Sequence, residues 1–168
     1  MEERNLKLLI IGHGRHGKDT VAEIIRDEFD MEFVSSSYWC LHRAVMPATG
    51  DTLPLYRNAD ACYADRINHR DEWKRLISEY NTPKERLVSE ILAVADMYVG
   101  VRKRDEFDAA CGQFDHIIWV DRSEHLPPEP SNELRSSDAD FVIDNNGDLD
   151  DLRFNTVSLI QDIESYFG

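Results

Sequence analysis

Basic residues are scarce. Nineteen Lys and Arg stand against thirty-three Asp and Glu in 168 residues, a net charge of −14. Such a chain repels polyanions and anionic membrane surfaces unless its few cations are concentrated locally. Cysteine is scarcer still. Cys40, Cys62 and Cys111 are odd in number and far apart, which excludes a closed disulfide framework and a zinc knuckle and points to a reducing compartment. Long apolar runs are missing too: the first, Leu8 to Ile11, has four residues, against the roughly 18 needed to cross a bilayer. The expectation is a soluble, cytoplasmic protein with no membrane partner. There is no internal repeat, and nothing in the order of residues assembles a Ser-His-Asp or Cys-His constellation. What remains is one domain over residues 1–168, since 42% hydrophobic content is enough for a single core.

What is present begins with "LKLLIIGHGRHGKDTVAEIIRDEF". A short apolar run ends at Gly12, and from Lys18 the apolar Val21, Ile24, Ile25 and Phe29 recur at helical spacing, so the reading is strand, glycine loop, helix. Further strands are expected at Met31–Val34, Asp96–Val101, Ile117–Val120 and Phe141–Ile143. Helices are expected over Ala59–Tyr80, after a capping box of Thr82, Pro83 and Glu85, and after Asp148, where Leu149, Leu152, Leu159, Ile163 and Phe167 form the buried side. Trp73 begins an apolar stripe and reads as core before it reads as a stacking platform. Alternating strands and helices imply a three-layer α/β sandwich around a parallel sheet of about five strands.

Gly12, Gly17 and Lys18 satisfy G-x-x-x-x-G-K, with Gly14 a further small residue. That spacing lets backbone N–H groups turn inward around phosphate oxygens at the positive end of a helix, with the lysine reaching the outer phosphates. Asp19 replaces the usual hydroxyl, which arrives one residue later as Thr20. A metal would then be held through water, by Asp19, or by a carboxylate such as Asp121. Gly12, Gly14, Arg15, His16, Gly17, Lys18, Asp19 and Thr20 are the candidate cofactor-binding residues, with Asp19 and Asp121 as metal candidates.

The stretch "GRHGKDT" resembles the nucleoside monophosphate kinase group of P-loop proteins, most closely the phage deoxynucleoside monophosphate kinases. "YVGVRKRDEF", "IIWVDR" and "ADFVIDNNGDLDDL" extend the resemblance; Gly100 stands where family members carry Asp. The resemblance implies a P-loop kinase fold, ATP and Mg²⁺, a helical acceptor-binding insertion over about 38–94 and a lid-like loop over about 122–138. It also implies a host-cell cytoplasmic location if the chain is phage-encoded.

Phosphoryl transfer needs cations around donor and acceptor phosphates. Lys18, Arg102, Arg122 and Asp121 are the catalytic candidates, the last three sitting at expected strand ends. Ser36, Arg66, His69, Arg70 and Arg102 are the acceptor candidates, although Arg66, His69 and Arg70 share their helix with four acids and equally suit a solvated face. Arg135 is a further cation at the far end of the lid loop.

The first reading is ATP-dependent transfer to a (deoxy)nucleoside 5′-monophosphate. A second keeps the loop but phosphorylates a hydroxymethyl-pyrimidine in DNA or nucleotide form; the net charge disfavours duplex DNA as a partner without closing the question. A third is a nucleotide-binding module without turnover, against which stands the lack of a D-x-x-G switch segment after a strand in the expected place. The sequence leaves room for a homodimer.

Overall fold

The computed structural model describes residues 5–167. Its sheet has four parallel strands: β1 (Leu8–Ile11), β2 (Met97–Val99), β3 (His116–Asp121) and β4 (Phe141–Asp144), in the order β2-β1-β3-β4. Strands buried on both faces read as continuous apolar runs, and β1 shows why. Leu8 and Ile10 point into one core with Val21, Ile25, Ile118 and Ile160, whereas Leu9 and Ile11 point into another with Leu87, Ile91, Tyr98 and Trp119. All four β1 side chains are fully buried, each contributing about 1.5–3 kcal/mol.

The first core is covered by α1 (Lys18–Phe29) and α7 (Leu149–Phe167). The second lies under α2 (Ser36–Cys40), α5 (Arg86–Leu92) and α6 (Arg104–Ala110). A third cluster, built from Leu41, Val45, Leu53, Cys62, Trp73 and Leu76, holds together α3 (Ala59–Ala64), α4 (Arg70–Tyr80) and the turns after α2. Trp73 is therefore core, as its place in the stripe suggested. No helix among the described residues is long and apolar enough to cross a membrane.

Four expectations change. Met31–Val34 contributes one bridge, Phe33 to Met97, at the β2 edge and not a fifth strand; its backbone leaves the sheet after that contact to begin α2, whose cap is the Ser35 hydroxyl accepting from Tyr38 N. The helix expected over Ala59–Tyr80 is interrupted by a 3₁₀ turn at Asp65–Asn68, where Asp65 takes bonds from Tyr56, Asn68 and His69. The capping box at Thr82 does not form, because α5 begins at Arg86 and the buried Asn81 side chain accepts from Leu87 N at 2.9 Å instead. At α7 the Asp148 cap forms, accepting from Asp151 N, but Leu149 stays exposed while Leu152, Ile160 and Ile163 are buried. The Phe167 side chain lies outside the described residues.

Candidate functional site

The carboxyl ends of β1, β2 and β3 meet at the glycine loop. In an open parallel sheet this is the edge where ligand crevices form. Gly12 and Gly17 have φ of 152° and 99°, and a Cβ at Gly12 would stand 2.6 Å from the Val120 carbonyl oxygen of β3. Neither position accepts a side chain without displacing its neighbour. Arg15 also lies in the left-handed region, at φ 63°, and its side chain is exposed.

Past Gly17, α1 starts at Lys18, so the N–H groups of its first turn have no carbonyl partners within the helix. Asp19 is exposed at that turn and Thr20 follows it, half-buried. The Lys18 ammonium donates to the carbonyls of Gly12 at 2.9 Å and His13 at 3.0 Å, folding back across the loop. Burial, and then the Arg102 charge, lower its pKa from the ordinary lysine value.

His16 is fully buried and its ring faces the sheet: Nδ1 accepts from Arg122 N at 3.0 Å, while its carbonyl accepts from the Asn145 side chain at 2.8 Å. Its N–H closes a turn on the His13 carbonyl. His16 thus braces the loop against β3 and β4. His13 accepts from Glu129 N, and burial, followed by the His16 ring, lowers its pKa; both histidines are acceptors at Nδ1.

At the end of β3, the Asp121 carboxylate accepts from Ser123 N at 3.0 Å. Burial pushes its pKa up, but bonds from Ser123 and Asn146 outweigh this and hold it below the usual carboxylate range. Arg122 is turned away from the loop and donates to the carbonyls of Asn145 at 2.6 Å and Gly147 at 3.3 Å. The Arg102 guanidinium instead reaches over the loop, 2.7 Å from a Glu129 oxygen.

Beside this cluster lies a cleft of about 560 Å³. Ser36 and Ser37 of α2 form one wall, with Lys74, Ile77 and Ser78 of α4 opposite; Tyr98, Gly100, Arg102, Lys103 and Glu106 complete it from the β2 side. Gly100 turns the chain at φ 88°, and a Cβ there would come within 3.9 Å of Lys18 Cε, so the cleft opens beside the lysine. Ser36 is bonded to the buried Tyr98 phenol, whose pKa is raised chiefly by burial. Burial also raises the pKa of Glu106, against a bond from Asn81 and the nearby Lys84 and Lys103. A second hollow of about 600 Å³ shares Ser78, Lys103 and Glu106 with the cleft, and neither is lined by residues 12–20 themselves.

Of the acceptor candidates, Ser36 and Arg102 line the cleft. Arg66, His69 and Arg70 do not. Arg66 lies 3.9 Å over the Tyr63 ring and donates to its carbonyl, His69 pairs with Asp65 at 3.0 Å, and Arg70 is exposed at the start of α4. After the 3₁₀ turn, α4 lines the cleft with positions 74, 75, 77 and 78. Lys74, Lys103 and Glu106 were missed; the signal for Lys103 was its place beside Arg102 at a strand end. Arg135 lies at the 3₁₀ turn of Ser136–Asp138, its N–H bonded to Asp138 at 2.8 Å.

No family model matches the chain, and no curated protein matches it closely. Among solved structures it is similar to an unliganded sugar kinase from Janibacter sp. HTCC2649, at 16% identity over 93% of this chain and 94% of that one, with a TM-score of 0.48.

Proposed function

We propose that the protein transfers the γ-phosphoryl group of ATP to a (deoxy)nucleoside 5′-monophosphate. One observation carries the reading: the cleft, lined by Lys74, Arg75, Arg102 and Lys103, opens beside Lys18, so a ligand in it and a phosphate chain on the glycine loop would be neighbours. Transfer of this kind is driven by positioning and charge neutralisation more than by covalent chemistry. The glycine-loop N–H groups and Lys18 take the donor phosphates once the ammonium leaves the Gly12 and His13 carbonyls. Arg102 spans donor and acceptor. Lys74 and Lys103, in place of Arg66, His69 and Arg70, meet the acceptor phosphate, with Ser36 beside it. Arg122 serves by tying the β3 end to the turn before α7.

A Cβ at Gly12, Gly14 or Gly17 would collide with the Val120 carbonyl, the Glu129 carboxylate or the Asn145 amide, and the N–H groups that the first turn of α1 leaves without helical partners are what suits the loop to a phosphate chain. For the metal, no three His, Cys, Asp or Glu side chains cluster among the described residues. Asp19 and the ionised Asp121 are the residues that would hold Mg²⁺, which would supply charge neutralisation there.

The test is a coupled ADP-release screen across the common ribo- and deoxynucleoside monophosphates. The expected result is Mg²⁺-dependent turnover on at least one, reduced about a thousandfold or more by Lys18→Ala. Near-normal activity in that variant would remove Lys18 from the reaction, and no turnover on any mononucleotide would remove the acceptor class.

A further inference from the structure

We propose that Glu129 is an internal anion that occupies the phosphate position of the glycine loop and must be displaced before a polyphosphate can bind. This rests on the reading of residues 12–20 as a phosphate-binding loop. The geometry is that of a bound anion. One Glu129 oxygen accepts from Gly14 N at 3.1 Å, and the other pairs with Arg102 Nε at 2.7 Å. A backbone N–H of the loop and the guanidinium at the β2 end are the two kinds of donor that a phosphate oxygen would use there. A Cβ at Gly14 would collide with that carboxylate, so its contact with the loop backbone depends on glycine.

The segment carrying Glu129 is seated, not loosely draped. Glu129 N donates to His13 Nδ1 at 3.0 Å, Asn132 Nδ2 to the Gly12 carbonyl at 3.1 Å, and Glu133 N to the Arg102 carbonyl at 2.8 Å. Leu134, only 1% exposed, anchors the segment in the core under α6. The Glu129 side chain keeps 23% of its surface in water. It can therefore rotate out to solvent while the backbone stays tied.

Charge explains how a ligand wins this competition. Glu129 brings one negative charge and two oxygens, and a triphosphate brings several of each, which can also draw Lys18 from the Gly12 and His13 carbonyls. The apparent affinity for polyphosphate is then the intrinsic affinity reduced by the fraction of molecules in which the carboxylate is out. Removing the charge should recover that fraction.

Calorimetric titration of ATP and of inorganic tripolyphosphate at fixed ionic strength tests this, on wild type, Glu129→Gln, Glu124→Gln and Lys18→Ala. Glu124 lies on the same loop, is exposed, and its change removes the same charge away from Gly14. Glu129→Gln should bind both ligands about tenfold more tightly, with Glu124→Gln within about twofold of wild type. Asn132→Ala, which loosens the segment and leaves the carboxylate intact, should shift affinity the same way by a smaller factor, and it serves if Glu129→Gln does not melt cooperatively. Wild-type binding that Lys18→Ala abolishes but that Glu129→Gln and Asn132→Ala leave unchanged or weaken would overturn the proposal while sparing the loop reading. Binding that ignores Lys18→Ala, or no binding in any variant, would overturn both.

Discussion

The Lys18 ammonium sits beneath loop carbonyls, and burial with Arg102 behind it lowers its pKa from 10.5, while Glu129 and Asp19 act in the opposite sense. A lysine needed as a cation loses that form at lower pH when its pKa is depressed. On the proposed transfer, kcat/KM, which reports such a group in the unliganded protein, should therefore be flat through neutral pH and fall on the alkaline side before 10.5 is reached. Lys18→Arg, whose guanidinium does not titrate in this range, should lose the alkaline fall at a lower absolute rate. A profile unchanged in Lys18→Arg would assign the fall to another group. At this scale the sequence was informative where backbone geometry demanded it. Gly12 and Gly17 sit at positive φ, as a loop wrapping inward requires. It named His16 among the cofactor-binding residues but gave no sign of the bond its buried ring accepts from Arg122 N, because the fold and not the motif brings those positions together.

Elements meet at two polar joints whose removal has distinct signatures. Asn81, 4% exposed, accepts from Leu87 N at the start of α5 and bonds Glu106 of α6. Asn81→Ala strands a buried N–H and should cost about 1–3 kcal/mol, lowering the thermal midpoint by about 2–4 °C per kcal/mol. Unchanged melting would mean that water replaces the amide there. Arg104 of α6 meets Asp138 through two bonds, at 2.9 and 2.8 Å, and this pairing holds the Asp138 carboxyl below its ordinary value. A depressed folded-state pKa contributes stability above the unfolded value, near 3.9, and loses it as pH falls through the folded one. Asp138→Asn should thus melt about 2–4 °C below wild type at pH 7, with the gap closing as pH falls below the unfolded value, about 3.9. A gap independent of pH would point to packing instead.

These joints also mark where element-level reading stopped. The apolar runs of β1 and β3 are legible because burial on both faces leaves no polar alternation, and the Asp148 cap is legible because it is local. The α4 register was not. Its apolar stripe located Trp73 and Leu76 in the core, but after the Asp65–Asn68 turn it is Lys74, not Arg66, that lines the cleft. The stabilising bonds of Asp65 come from Tyr56, Asn68 and His69, and the Tyr56 bond depends on a contact across the chain that periodicity cannot register.

Across the whole molecule, a net charge of −14 surrounds a small basic cleft. Lys18, Lys74, Arg102 and Lys103 gather at the carboxyl end of the sheet, which favours a compact anion over an extended polyanion whose phosphates would meet the acidic surface. The four-stranded order puts β1 between β2 and β3, so the glycine loop lies between the cleft on one side and the Asn145 turn on the other. Residues from the 122–138 segment reach over it, Gly14 N donating to the Glu129 carboxylate and the Asn132 amide donating to the Gly12 carbonyl. The most direct measurement is a crystal structure with a non-hydrolysable ATP analogue. The account predicts the polyphosphate lying along residues 12–20, with Lys18 turned onto it and Glu129 rotated out. A polyphosphate held elsewhere on the surface, with Lys18 still on the Gly12 carbonyl, would contradict it.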